Sequence, residues 1–169
     1  MSTTRSARFD PALPLATVAW HSWRSLRPPV MAWLWYLNLL YWGAFAWLPR
    51  PEAVWTLVAY LAVGPLIVVM IRAQRGLTRL AGLIHLPWVP LTLYLGLRLF
   101  TDILGPGLSP ATDGLFHGWL LLLFCSTLVC LALDAADVVR WLAGERYVLG
   151  TPAAAAAGAS KLAPEGLDR

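Results

Sequence analysis

The sequence predicts an all-α integral membrane protein, a four-helix bundle with both termini in the cytoplasm. Three observations carry the prediction. Of 169 residues, 59% are hydrophobic and only 13% are charged, against about 45–50% and about 25% in a soluble domain. The apolar residues fall in four long blocks rather than at scattered core positions. The basic residues collect on one side of those blocks. Such a composition excludes an ordinary water-soluble globule and a charge-rich disordered chain.

Residues 1–29 read as a cytoplasmic N-terminal segment. Its stretch 13–27 mixes apolar residues with Trp20, Trp23, Arg24 and Arg27, which suits a helix lying in the membrane interface. Pro11 and Pro14 confine that helix to the later part. The first span, 30–48, is apolar except for Asn38 and closes at Pro49, Arg50, Pro51 and Glu52. At ~1.5 Å per residue it covers ~28 Å, close to the ~30 Å hydrocarbon core. Ala44-Phe45-Ala46 has the form of a signal-peptide cleavage site, but the long leading region and the flanking Trp42 and Trp47 argue that the span is retained.

The second span, 53–71, carries no charge and stops at Arg72, Arg75 and Arg79. Its Gly64-Pro65 step predicts a kink. The third, 80–100, holds His85, Pro87 and Pro90, so an irregular helix is expected, with Arg98 near its far end snorkelling to the headgroups. The fourth, 115–141, follows the Gly105-Pro106-Gly107 turn and the Ser109-Pro110 step, and its last turns are polar. Spans one to four make a transmembrane domain over 30–146. The remainder, 147–169, with its Ala run at 153–157, reads as a disordered cytoplasmic tail.

Orientation follows from the basic residues. Arg5, Arg8, Arg24, Arg27, Arg72, Arg75, Arg79, Arg140, Arg146, Lys161 and Arg169 share one side, and only Arg50 and Arg98 lie on the other. Tryptophans mark the boundaries, with Trp47, Trp55 and Trp119 towards one interface and Trp20, Trp23, Trp33 and Trp141 towards the other.

Ionisable groups inside a membrane are costly and few here. His85 lies six residues past Arg79 and Asp134 six residues before Arg140, so both sit ~9 Å in from the same edge. Equal depth on antiparallel helices is what a His85–Asp134 pair requires. Asp137 stands one turn further along with Arg140 three residues on, and Arg79 can reach Asp137 across the interface. These five residues form the candidate intramembrane polar site, either a helix clamp or a proton or ligand site. Asn38 shares a helix face with Trp35 and Trp42. That trio suits a groove stacking a lipid tail or quinone, or interhelical hydrogen bonding. Gly114 and Gly118 form a GxxxG pattern that invites a close helix.

Cys125 and Cys130 point about 140° apart on a helix, cannot pair within it, and read as small buried hydrophobes. His21 and His117 stand at depths unlike that of His85, which removes a bis-histidine haem. No HExxH, CxxC, Walker or GxSxG motif occurs. No metal or cofactor is therefore expected, no catalytic residue is assigned, and a nucleic-acid partner is excluded by the absence of a basic stripe.

The segments Arg79-Leu80-Ala81-Gly82-Leu83-Ile84-His85-Leu86-Pro87-Trp88-Val89-Pro90 and Asp134-Ala135-Ala136-Asp137-Val138-Val139-Arg140-Trp141-Leu142-Ala143-Gly144-Glu145-Arg146 resemble a group of small, uncharacterised four-span bacterial inner-membrane proteins. The resemblance implies four helices and the inner membrane, and assigns no activity. The short loops leave no domain for soluble chemistry. The sequence thus points to a non-enzymatic scaffold or accessory subunit of a membrane assembly. The alternative is a proton-linked transporter, or a lipid- or quinone-binding protein, using the His85 and Asp134 region. Expected partners are the lipid bilayer, other membrane subunits or a second copy of the chain.

Overall fold

A computed structural model of the chain describes residues 9–160, and its elements are all helical, with no strand among the described residues. Of the basic residues used for orientation, Arg5, Arg8, Lys161 and Arg169 lie outside the described residues. Helix α1 (Leu15–Arg24) starts after Pro14 and buries Val18 and Ser22 while leaving Trp20 exposed. Helix α2 (Pro28–Trp42) opens on two prolines, whose fixed φ suits a first turn. It runs into a 3₁₀ segment, Gly43–Trp47. At ~1.5 Å per α residue and ~2.0 Å per 3₁₀ residue the two together reach about 32 Å.

Helix α3 (Pro51–Gln74) continues as one helix through Pro65, where the kink was expected. It ends on Arg75 in the left-handed region, φ 56°, a conformation a bulky residue holds only when tied down. The tie is the Arg75 guanidinium, whose Nη2 donates to the carbonyls of Pro11 (2.6 Å) and Leu13 (3.0 Å). The third apolar block is broken where its prolines fall. A 3₁₀ segment, Arg79–His85, precedes helix α4 (Trp88–Phe100), and the two are bent by 50°.

Helix α5 (Pro110–Leu142) begins where Ser109 Oγ accepts the Thr112 N–H at 3.3 Å. It kinks at Gly114, whose φ of 50° and ψ of −119° are non-helical. That backbone role is what the glycine serves within the chain, because no other segment comes within 4 Å of a Cβ placed at Gly114 or Gly118. The close approach expected there occurs elsewhere: α5 packs chiefly on Arg79–His85 and α4.

Residues 147–160 depart from the expected disordered tail. Val148 and Thr151 are buried, and Pro152–Ser160 forms helix α6. Leu149 N–H donates to Leu77 O (2.8 Å), and Ser22 Oγ donates to Leu149 O (3.1 Å). Buried Val18, Ser22, Leu77 and Val148 thus join α1, the α3 exit and the segment after α5 in one knot. Residues 161–169 lie outside the described residues.

Two helices, α3 and α5, are long and apolar enough to cross a membrane, and the bent pair Arg79–His85 with Trp88–Phe100 makes a third candidate. The core is a ladder of Leu37, Leu40, Tyr41, Trp88, Leu91, Leu95, Leu120 and Leu123. Outside it, Leu39, Val58, Leu61, Val69, Leu93 and Val129 are exposed apolar side chains. Helices apolar on inner and outer faces alike match a protein whose outer solvent is lipid.

Candidate functional site: a polar cleft between helices

The Arg79–His85 segment lies against α5 because glycine allows it. An ideal Cβ on Gly82 would meet Asp134 Cβ at 2.9 Å and Asp134 Cα and O at 3.0 Å. That approach sets His85, one 3₁₀ turn later, beside Asp134, with Nδ1 and Oδ2 2.8 Å apart. The same Oδ2 accepts from the Cys130 thiol at 3.6 Å, one α-turn back on α5. Trp88 stacks on the His85 ring with centroids 4.1 Å apart and fixes its plane.

Arg79 closes the end of this array. Its guanidinium pairs with Asp137 through Nη1 and with Glu145 through Nε (2.6 Å). Its Nη2 donates to the Tyr147 hydroxyl (3.4 Å), and that hydroxyl donates to Glu145 Oε2 (3.3 Å). Arg140 stands at the rim, 3.9 Å from Asp137. The five residues of the predicted polar site are therefore together, and Glu145, Tyr147 and Cys130 join them.

Asn38 occupies the far end of the same cleft. Its Nδ2 donates to Leu34 O (2.7 Å), its Oδ1 accepts from the Tyr60 hydroxyl, and Tyr60 in turn accepts from Trp42 Nε1 (3.1 Å). Trp35 and Trp42 do not form the wall expected of them, since both are more than half exposed on the outer surface and neither lines the cleft. The aromatic wall is Tyr60, Tyr41 and Trp88 instead, stacked in sequence at 5.4 and 4.5 Å. Tyr41 is held from behind by its hydroxyl, 3.2 Å from Thr127 Oγ1.

The two predicted sites are thus one cavity of about 480 Å³, running from Asn38 and Tyr60 past Trp88, His85 and Asp134 to Arg79 and Asp137. Its size falls in the ~300–1,000 Å³ range of small-molecule sites. The Trp88 indole N–H is buried with no acceptor among the described residues, as are those of Trp33 and Trp141.

At the opposite end of the helices Arg98 does not snorkel outward. It turns inward to Glu52, Nε to Oε1 at 2.7 Å, and donates to Leu104 O and Pro106 O, both at 3.1 Å. Glu52 is 3% exposed, so this pair pins the start of α3 to the end of α4. Arg50 and Asp113, 2.9 Å apart, pin the α3 start to the α5 start.

Among the described residues, fold and site together define an all-helical protein with two or three helices able to cross a membrane and a cleft with polar ends between helices. The chain matches no protein-family model, no curated protein and no solved structure.

Proposed function

We propose that the chain is a small four-span protein of the bacterial inner membrane, akin to the group it resembles, with both termini cytoplasmic. Its cleft binds an apolar molecule bearing hydrogen-bond acceptors, such as a lipid ester or a quinone carbonyl. The four-span reading is supported by the ~32 Å reach of α2 with its 3₁₀ extension and by the eleven basic residues that this topology leaves inside.

The observation that carries the ligand reading is the cleft itself, an aromatic wall of Tyr60, Tyr41 and Trp88 between two polar ends. The Arg79, Asp137 and Glu145 ion pairs suit the competing scaffold reading as a helix clamp. They account for how the ends of two helices are held together, and leave the cavity beside them unexplained.

The test is mass spectrometry of the full chain purified in mild detergent, alongside Gly64→Leu and Ala81→Leu. Gly64 and Ala81 both line the cleft, and a Cβ on Gly64 meets nothing within 4 Å. The expected result is one small apolar molecule retained per wild-type chain and lost from a filled-cleft variant that melts like the wild type. A stoichiometric protein partner with an empty cleft would establish the scaffold or accessory-subunit role instead.

A further inference from the structure

His85, Cys130 and Asp134 offer one nitrogen, one sulfur and one oxygen donor, all within 4.8 Å of one another. We propose that these three side chains form a binding site for a thiophilic divalent cation of the zinc type, with the fourth coordination position facing the cleft. The inference does not depend on an apolar ligand occupying that cleft.

The spacing is close to what such an ion needs. Metal bonds of ~2.0–2.3 Å to nitrogen, oxygen and sulfur in a tetrahedron place the donors about 3.3–3.6 Å apart. The Cys130 sulfur is 3.6 Å from Asp134 Oδ2, and His85 Nδ1 is 2.8 Å from the same oxygen. The third separation, Cys130 sulfur to the imidazole nitrogen, lies within 4.8 Å, so an ion is admitted when the nitrogen–oxygen pair opens by about half an ångström and the sulfur and imidazole close to about 3.5 Å. The donors also stand on fixed supports. Cys130 and Asp134 are one turn apart on α5, the His85 ring is stacked on Trp88, and Gly82 presses the His85 segment onto Asp134.

Charge favours the ion as well. A dication bound by a thiolate, a carboxylate and a neutral imidazole is neutral overall, the form least penalised in an apolar interior. The cation enters and the Cys130 thiol proton leaves, together with the imidazole proton when His85 is imidazolium. Affinity must therefore rise with pH. The sulfur donor selects zinc- or cobalt-like ions over magnesium and calcium, which prefer oxygen alone. His85 and Asp134 line the cleft whereas Cys130 is buried behind them. Three protein ligands with one side open is the pattern of sites that exchange or present a ligand rather than merely brace a fold.

The test is a Co²⁺ titration of the purified full chain in detergent, read by absorption. The expected result is a thiolate-to-cobalt charge-transfer band saturating at one ion per chain, displaced by Zn²⁺ and indifferent to Mg²⁺. Cys125→Ser should keep the band, Cys130→Ser should lose it, and Asp134→Asn should weaken binding about tenfold or more. Should Cys130→Ser not fold, the Cys125→Ser protein still decides, because Cys130 is then the sole thiol. No band in that protein, or binding of equal strength in folded Cys130→Ser, overturns the site.

Discussion

Gly82→Ala is expected to loosen the polar site without touching any of its charged groups. The added Cβ would sit 2.9 Å from Asp134 Cβ and 3.0 Å from the Asp134 backbone, where ordinary contact begins at 3.4 Å. Two of those three atoms are backbone, so no side chain can swing away, and the Arg79–His85 segment has to retreat from α5 by about 0.4–0.5 Å. Overpacking of this kind costs about 1–3 kcal/mol. Carried one 3₁₀ turn along, the same retreat stretches the 2.8 Å His85–Asp134 contact to about 3.3 Å, past good hydrogen-bond length. Gly118→Ala is the control, because nothing lies within 4 Å of its Cβ and alanine favours a helix by at most ~1 kcal/mol. The assay is reversible unfolding in mixed micelles, paired with the His85 ring resonance at one pH. Gly82→Ala should unfold earlier and move the His85 ring resonance, while Gly118→Ala should be no less stable than the wild type. A Gly82→Ala protein with wild-type stability and an unmoved His85 resonance would refute the packing argument.

Other substitutions probe the remaining joints. Glu52→Gln leaves Arg98 without its carboxylate partner at a site where Glu52 is 3% exposed, and should cost about 3–5 kcal/mol in the same unfolding assay; a change below ~1 kcal/mol would mean the pair is solvated. Ending the chain after Thr151 should leave the melting temperature nearly unchanged, whereas ending it after Arg146 removes fully buried Val148 and should cost about 1.5–3 kcal/mol. In a chain lacking Cys125 and Cys130, an impermeant thiol reagent on intact cells should label Ala111→Cys but not Ala73→Cys, both exposed positions. Labelling at Ala73 would invert the proposed topology.

Much of the helical layout was legible because backbone chemistry writes it locally. Pro87 and Pro90 announce the break before α4, and Ser109-Pro110 announces the start of α5. The His85–Asp134 contact was legible for a different reason: a membrane exposes very few ionisable groups to choose from, and equal depth selects among them. The aromatic wall was not legible. In helices apolar on all sides no periodicity separates core-facing from lipid-facing residues, so Trp35 and Trp42 were as eligible as Tyr41, Tyr60 and Trp88. Cys130 was passed over as a hydrophobe, although its four-residue spacing from Asp134 already placed both on one helix face. Arg98 was assigned to the headgroups because nothing local reveals a carboxylate 46 residues away. The packed segment around Val148 was missed because its partners, Val18, Ser22 and Leu77, belong to two distant parts of the chain.

The claim that the cleft holds an acceptor-bearing apolar molecule is tested most directly at Trp88, whose ring belongs to the aromatic wall of the cleft. The measurement is the indole ¹H–¹⁵N resonance of tryptophan-labelled full chain, assigned by its loss in Trp88→Phe, during titration with a short-chain quinone and, separately, a short-chain phospholipid. Binding should move the Trp88 signal in a saturable way with one of the two, as the molecule packs against the wall to which its ring belongs, and Gly64→Leu should abolish the shift. A Trp88 resonance that stays in place with both molecules, in protein shown to be folded, would contradict the account.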